Sequence, residues 1–98
     1  MDKEQVIDIV REYKKLVTST MDDAQVYLYG SYSKGTAHSN SDIDVAVVVP
    51  QIKGDWLDAC AHLWLLAPQV NYLIEPVLID KHHPSPLYDD VMRTGVIV

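Results

Sequence analysis

The chain has 98 residues, 48% of them hydrophobic and 22% charged, which suits one small folded domain and excludes a disordered chain. Eight lysines and arginines stand against fourteen aspartates and glutamates, and the net charge of −6 argues against nonspecific electrostatic binding to nucleic acid or lipid. The single cysteine excludes an internal disulfide, and no apolar run approaches the ~20 residues of a membrane helix. We expect residues 1–98 to form one soluble, cytoplasmic domain.

Hydrophobic periodicity divides the chain into alternating helices and strands. Segments with apolar residues three and four apart predict helices, and short β-rich runs predict strands. The predicted elements, in chain order, are a helix at 3–18, a strand at 24–29, one helical turn at 31–35, a polar loop at 36–41, a strand at 42–49, a helix at 55–67, a strand at 72–80, a helix at 85–94 and a short terminal extension at 97–98.

Prolines, glycines and one aspartate set the predicted ends of the later elements. Asp55 suits the N-cap of the third helix, and Pro68 is expected to lie beyond the end of that helix. Pro76 places the last long strand at an edge or a bulge, because proline cannot donate a ladder hydrogen bond. Gly95 is expected to stop the final helix.

Three strands alternating with helices predict a small α/β or α+β fold, with a mixed β-sheet flanked by helices. Periodicity does not determine the strand order. The helix at 55–67 is apolar nearly all round, so we expect Trp56, Leu63 and Trp64 to contribute to an oligomer or partner interface. The alternative is that this helix is simply the central core helix.

The segment at 30–44, GSYSKGTAHSNSDID, begins where a strand ends and a helix starts. A glycine there lets the backbone approach a ligand closely. The free N–H groups of a helix start suit a phosphate, and the Ser31 hydroxyl adds a donor. Lys34 lies one turn away, within reach of the same anion.

Three acidic residues indicate a site for a divalent cation. Asp42 and Asp44 are two apart on a strand, so their side chains share a face with Cα atoms roughly 6.6 Å apart, where like charges repel unless a cation is present. Glu75 interrupts an apolar strand, where a charge is costly unless it is paired or binds metal. Carboxylates and substrate phosphates suit Mg²⁺, and a pair of ions could serve both the attacking and the leaving oxygen.

Each part of this pattern also has an ordinary structural explanation. A Gly-Ser turn is usually only a turn, and an Asp-x-Asp is usually a solvated strand end or a cap. Their coincidence at fixed spacing should occur by chance in fewer than roughly one in a hundred chains of this length. The combination therefore favours a functional site.

The pattern of Gly-Ser, ten residues, then Asp-x-Asp resembles the signature of the nucleotidyltransferase superfamily that includes DNA polymerase beta. The run SDID before an apolar strand resembles the minimal nucleotidyltransferases of prokaryotes, often encoded beside a helical partner of the HEPN class. The leading helix and the closing RTGVIV also resemble that family. The resemblance implies the polymerase beta-like nucleotidyltransferase fold over residues 1–98.

The resemblance also implies a role for each motif residue. Asp42, Asp44 and Glu75 would be the catalytic and metal-binding residues, holding two Mg²⁺ ions, although the third position is more often aspartate. The residues that would bind the nucleotide are Gly30, Ser31, Lys34 and Ser41. Lys34 and His38 stand where arginine is frequent, so the bidentate fork of arginine is lost at both positions.

In such enzymes a nucleoside monophosphate moves from an NTP to an acceptor hydroxyl, and pyrophosphate is released. The resemblance implies an antitoxin that moves AMP from ATP to a tyrosine of a HEPN-type toxin. Three other functions stay open: an antitoxin that neutralises its HEPN partner by contact alone, a nucleotidyltransferase for small molecules, and a metal-binding scaffold without a nucleotide.

Overall fold

The computed structural model of the protein describes residues 1–37, 41–83 and 85–98. Its elements follow the predicted order, with a fourth, two-residue strand at the end. They are α1 (Lys3–Thr18), β1 (Gln25–Tyr29), α2 (Ser31–Lys34), β2 (Ile43–Val49), α3 (Trp56–Val70), β3 (Ile74–Asp80), α4 (Pro86–Thr94) and β4 (Val96–Ile97).

The four strands form one mixed sheet in the order β3-β2-β1-β4. β1 runs antiparallel to both β2 and β4, whereas β3 runs parallel to β2. Parallel neighbours need a crossover, and α3 supplies it. The predicted fold class, a mixed sheet flanked by helices, is confirmed.

Side chains from both faces of β2 are buried, which explains its unbroken apolar sequence. Ile43, Val45 and Val47 pack in the main core with residues of α1 and α3. Ala46 and Val48 point to the other face and pack against Val91 of α4. β2 is therefore the central element of a three-layer arrangement.

The predicted end of α3 is wrong, because Pro68 lies inside the helix rather than beyond it. Proline lacks an N–H group, so the hydrogen bond to the Trp64 carbonyl is missing. Because Pro68 lies in the last turn, this loss does not interrupt the rest of the helix. The turn still closes, since the Asn71 N–H donates to the Ala67 carbonyl at 3.0 Å. Burial of Ala67 against the core holds the residue before the proline in the helix.

The other predicted boundaries agree closely with the structure. Asp55 is the N-cap of α3 and accepts a hydrogen bond from the Asp58 N–H at 3.0 Å. Pro76 lies on β3, which is an edge strand as predicted. Gly95 caps α4, and the terminal extension adds β4 to the sheet.

The exposed side of α3 agrees only in part with the predicted interface. Trp56 and Trp64 are about half exposed, whereas Leu63 is 1% exposed and lies in the core. Leu63 therefore cannot contribute to a surface contact, and an interface at the two tryptophans stays a prediction. Within residues 1–37, 41–83 and 85–98, no helix is long and apolar enough to cross a membrane.

Asp80, at the end of β3, is a buried carboxylate that fixes the neighbouring loop. One of its oxygens accepts from the His82 N–H at 2.7 Å, and the other accepts from the Ile52 N–H at 3.3 Å. The hydrogen bond from His82, followed by those from Ile52 and His83, lowers the pKa of Asp80 below its ordinary value. Its charged form therefore stabilises the fold.

We expect Asp80→Asn to lower the free energy of unfolding at neutral pH, because asparagine accepts fewer hydrogen bonds here. A carboxyl whose pKa is depressed on folding contributes stability above its unfolded pKa, about 3.9, and loses it as the pH falls through its folded pKa. Urea denaturation at a series of pH values measures the difference, which should shrink below about pH 4. The exposed Asp22→Asn variant is the control, and a pH-independent difference would contradict this account.

Candidate active site

The start of the Gly-Ser turn faces the second aspartate of the motif. β1 and β2 pair so that Tyr29 lies opposite Asp44, and the chain then turns at Gly30 with φ 72° and ψ −146°. A Cβ atom on Gly30 would stand 3.1 Å from Cγ of Asp44 and would collide with its Oδ2. The Asp44 carboxylate thus occupies the space that any other residue at position 30 would fill.

The short helix α2 continues directly from this turn and begins with Ser31. The Ser33 hydroxyl donates to the Gly30 carbonyl at 3.0 Å, and the Lys34 N–H donates to the same carbonyl at 3.1 Å. Tyr32 is 4% exposed and anchors α2 in the main core. The backbone around Gly30 and Ser31 is therefore held firmly beside Asp44.

The three predicted acidic residues gather at one end of the sheet. Glu75 is the parallel partner of Asp44, so both side chains lie on the same face of neighbouring strands. Burial and then the Asp42 charge raise the pKa of Asp44. Glu75 is exposed, and its pKa is raised by some loss of hydration, by the Asp42 charge and by a hydrogen bond with Asp42, with the Asp44 charge adding to them.

These carboxylates supply the hard oxygen donors that Mg²⁺ prefers. Among the described residues, however, no group of three or more histidine, cysteine, aspartate or glutamate side chains is already placed so that it could hold a metal ion. Mg²⁺ sites in nucleotide enzymes commonly use one or two carboxylates and take the remaining ligands from water and substrate phosphates. The donor chemistry of Asp42, Asp44 and Glu75 fits such a substrate-completed site.

Lys34, the last residue of α2, has an ion-pair partner on α4. Its Nζ atom is 3.5 Å from Oδ2 of Asp90. Ser41, which is half-buried, directly precedes Asp42 in the chain. His38, the remaining motif residue discussed above, lies outside the described residues.

Two neighbours of the cluster were not predicted from the sequence. Tyr29 lies on the same face of the sheet as Asp44, and its pKa is raised by burial and then by the surrounding carboxylates of Asp44, Glu75 and Asp90. The position of Tyr29 could have been inferred from strand alternation just before Gly30. No local pattern could have indicated Asp90, because its contact depends on how α4 packs.

A separate cavity of about 390 Å³ lies at the other end of β2. Its lining includes Val49, Lys53 and His62. Val49 is seven strand residues from Asp42, a distance of roughly 23 Å. The cavity is therefore distinct from the acidic cluster.

The family model described as nucleotidyltransferase domain matches residues 3–90 of the chain. The chain is 28% identical over 100 residues to MJ0141 of Methanocaldococcus jannaschii, which is provisionally named a protein adenylyltransferase; the match covers 96% of this chain and 99% of that protein. It is 51% identical over 45 residues to the protein adenylyltransferase MntA of Shewanella oneidensis, a match covering 46% of this chain and 29% of MntA. The chain thus aligns with less than a third of the length of MntA.

Solved structures share the same architecture. A provisionally identified nucleotidyltransferase from Sulfolobus solfataricus superposes with a TM-score of 0.71 at 19% identity, over 97% of this chain and 80% of that one, which shows the fold alone. A toxin–antitoxin structure with AMP-PNP matches at a TM-score of 0.59 and 27% identity, over 99% of this chain and 72% of that one. The resemblance inferred from the motif is confirmed.

We expect Gly30→Ala to lower the free energy of unfolding by about 3 kcal/mol or more, because it adds a collision with Asp44 to backbone strain. Gly35→Ala is the control, since Gly35 also has positive φ, at 75°, but has open space around it. It should cost about 1 kcal/mol. Urea denaturation of both variants, and of Gly30→Ala/Asp44→Ala, measures the collision, which the second substitution should partly relieve. Equal losses in the two single variants would contradict the steric account.

We expect Asp44→Asn to stabilise the fold near neutral pH by up to about 1 kcal/mol, a small effect because solvent screens the half-buried carboxylate. Folding raises the pKa of Asp44, so the penalty is absent below the unfolded pKa, about 3.9, and grows as the pH rises through the folded pKa. Urea midpoints at about pH 7 and about pH 3.5 should differ only at the higher pH. A gain that persists in acid, or one matched by Asp22→Asn, would argue against charge repulsion.

Proposed function

The chain belongs to the nucleotidyltransferase domain family, and we propose that it moves AMP from ATP to a hydroxyl group of a HEPN-type partner protein in a Mg²⁺-dependent reaction, as an antitoxin. The proposal extends to residues 1–98 as one nucleotidyltransferase domain. It is supported by a candidate site in which Gly30 lies directly against Asp44, and by relatives named as protein adenylyltransferases.

The observation that carries the proposal is the apposition of Gly30 and Asp44. The fold places a carboxylate directly against a positive-φ glycine at the start of α2, where an added Cβ would collide. A purely structural turn has no need of a charged group at that point, since burial and the Asp42 charge both disfavour the ionised Asp44. The arrangement suits a site whose negative charge is balanced by a cation that binds together with a nucleotide.

Asp42, Asp44 and Glu75 would hold Mg²⁺, which supplies charge neutralisation for the phosphates. Gly30 and Ser31 would bring the backbone close to the phosphates, and Lys34 would add a point charge. The acceptor oxygen forms a bond to the α-phosphorus as the bond to pyrophosphate breaks. The acceptor's proton would pass to a carboxylate oxygen of the cluster.

Support for a protein acceptor comes from the relatives. The M. jannaschii relative matches almost from end to end, and it is named for transfer to protein. The solved toxin–antitoxin that contains AMP-PNP has the same fold over 99% of this chain. Both support a partner protein as the acceptor.

The test is label transfer from α-labelled ATP to the protein encoded by the adjacent gene, with Mg²⁺ present. We expect label on that partner, and we expect Asp42→Asn/Asp44→Asn to reduce the rate at least about 10²-fold, because the site loses its metal-binding carboxylates. Chelation of Mg²⁺ should have the same effect. The matched control, Asp22→Asn/Asp23→Asn, removes equal charge from two exposed residues outside the cluster and should keep the activity.

Three results would contradict the proposal. A stable complex with no transfer from any of the four nucleoside triphosphates would indicate neutralisation by contact alone. Transfer to a small molecule without the partner would indicate a small-molecule enzyme. Failure to bind ATP at millimolar Mg²⁺ would exclude nucleotide chemistry altogether.

A further inference from the structure

Lys34 is not a free surface lysine, because its ammonium group pairs with Asp90. Its Nζ atom lies 3.5 Å from Oδ2 of Asp90, and the two side chains are 46% and 28% exposed. The two residues are 56 positions apart in the chain, so the contact joins α2 to α4 across the sheet end. A lysine with four rotatable bonds is thereby given a preferred direction.

Asp90 is itself held in place by α4. Its second oxygen, Oδ1, accepts from Nη2 of Arg93 at 2.9 Å, one helical turn away. The next residue, Val91, is fully buried against Ala46 and Val48 of β2. α4 therefore packs on the face of the sheet that also carries Asp44 and Glu75, and Asp90 directs Lys34 toward that face.

We infer that Asp90 is a positioning residue that holds the Lys34 ammonium over the acidic face before the nucleotide arrives. The inference rests on the proposed function, because it assumes that Lys34 contacts nucleotide phosphate. Asp90 touches neither substrate nor metal in this account. Its effect passes through Lys34.

Lys34 can bind a phosphate without leaving Asp90. An ammonium has three N–H donors and this ion pair is partly exposed, so Lys34 can contact Asp90 and a phosphate oxygen together. Arg93 stays on the other oxygen of Asp90. The gain is that the lysine is ordered in advance, which at about 0.5–1.5 kcal/mol for a side chain of this kind corresponds to roughly two- to tenfold in affinity.

The experiment measures the Kd of a non-hydrolysable ATP analogue with Mg²⁺ by calorimetry, using the full chain. We expect Asp90→Asn to raise the Kd roughly two- to tenfold and Asp90→Glu to restore most of the affinity, because glutamate keeps the charge. The matched control is Asp89→Asn, which removes the same charge from the neighbouring exposed residue of α4 and should leave the Kd unchanged. Thermal denaturation of each variant shows whether the fold is intact.

A double variant separates positioning from a general structural effect. If Asp90 acts through Lys34, Asp90→Asn/Lys34→Gln binds no more weakly than Lys34→Gln alone. Additive losses, an unchanged Kd in Asp90→Asn, or an equal loss in Asp89→Asn would overturn the inference. If the unsubstituted chain binds no analogue, both the inference and the proposed function fail. If the unsubstituted chain binds the analogue and Asp90→Asn leaves the Kd unchanged, the inference fails and the proposed function stands.

Discussion

The antiparallel register between β1 and β2 is the constraint on which the site depends. It places Asp44 opposite Tyr29, so that the next residue along the chain, Gly30, meets the Asp44 carboxylate. The positive φ of that glycine then directs the backbone into α2. A shift of one residue in the pairing would turn Asp44 toward the main core and would bring Ile43 to the acidic face.

The core provides the stability that this register requires. β2 is buried on both faces, by α1 and α3 on one side and by α4 on the other, so its position is determined from several directions at once. Desolvation and mutual repulsion disfavour the charged forms of Asp44, at the start of β2, and of Glu75, at the start of β3, as their raised pKa values show. Sites of this kind are stable only when the surrounding structure holds them, and here the apolar half of β2 does so.

α4 does more than cover the second face of the sheet. Val91 anchors it under β2, and the preceding residue, Asp90, reaches the lysine that follows the Gly-Ser turn. The Gly-Ser turn and α2 are thus linked to α4. Substitutions in α4 can affect the site through this link without touching the acidic residues.

The sequence alone determined the order of the elements, the mixed α/β class and the motif of Gly30, Asp42 and Asp44, because these follow from local periodicity and fixed spacing. It also indicated the edge position of β3 through Pro76. It misplaced the end of α3, since tertiary burial of Ala67 overrides the usual effect of Pro68, and it assigned Leu63 to a surface although the core covers it.

Only the tertiary structure decided which side chains meet. The parallel pairing of β3 beside β2 brings Glu75 to Asp44, and the packing of α4 brings Asp90 to Lys34. Strand order and helix placement depend on how distant segments pack into one core, and local sequence patterns do not predict that packing. The candidate site residues could therefore be predicted from the sequence, whereas the side chains that each of them contacts could not.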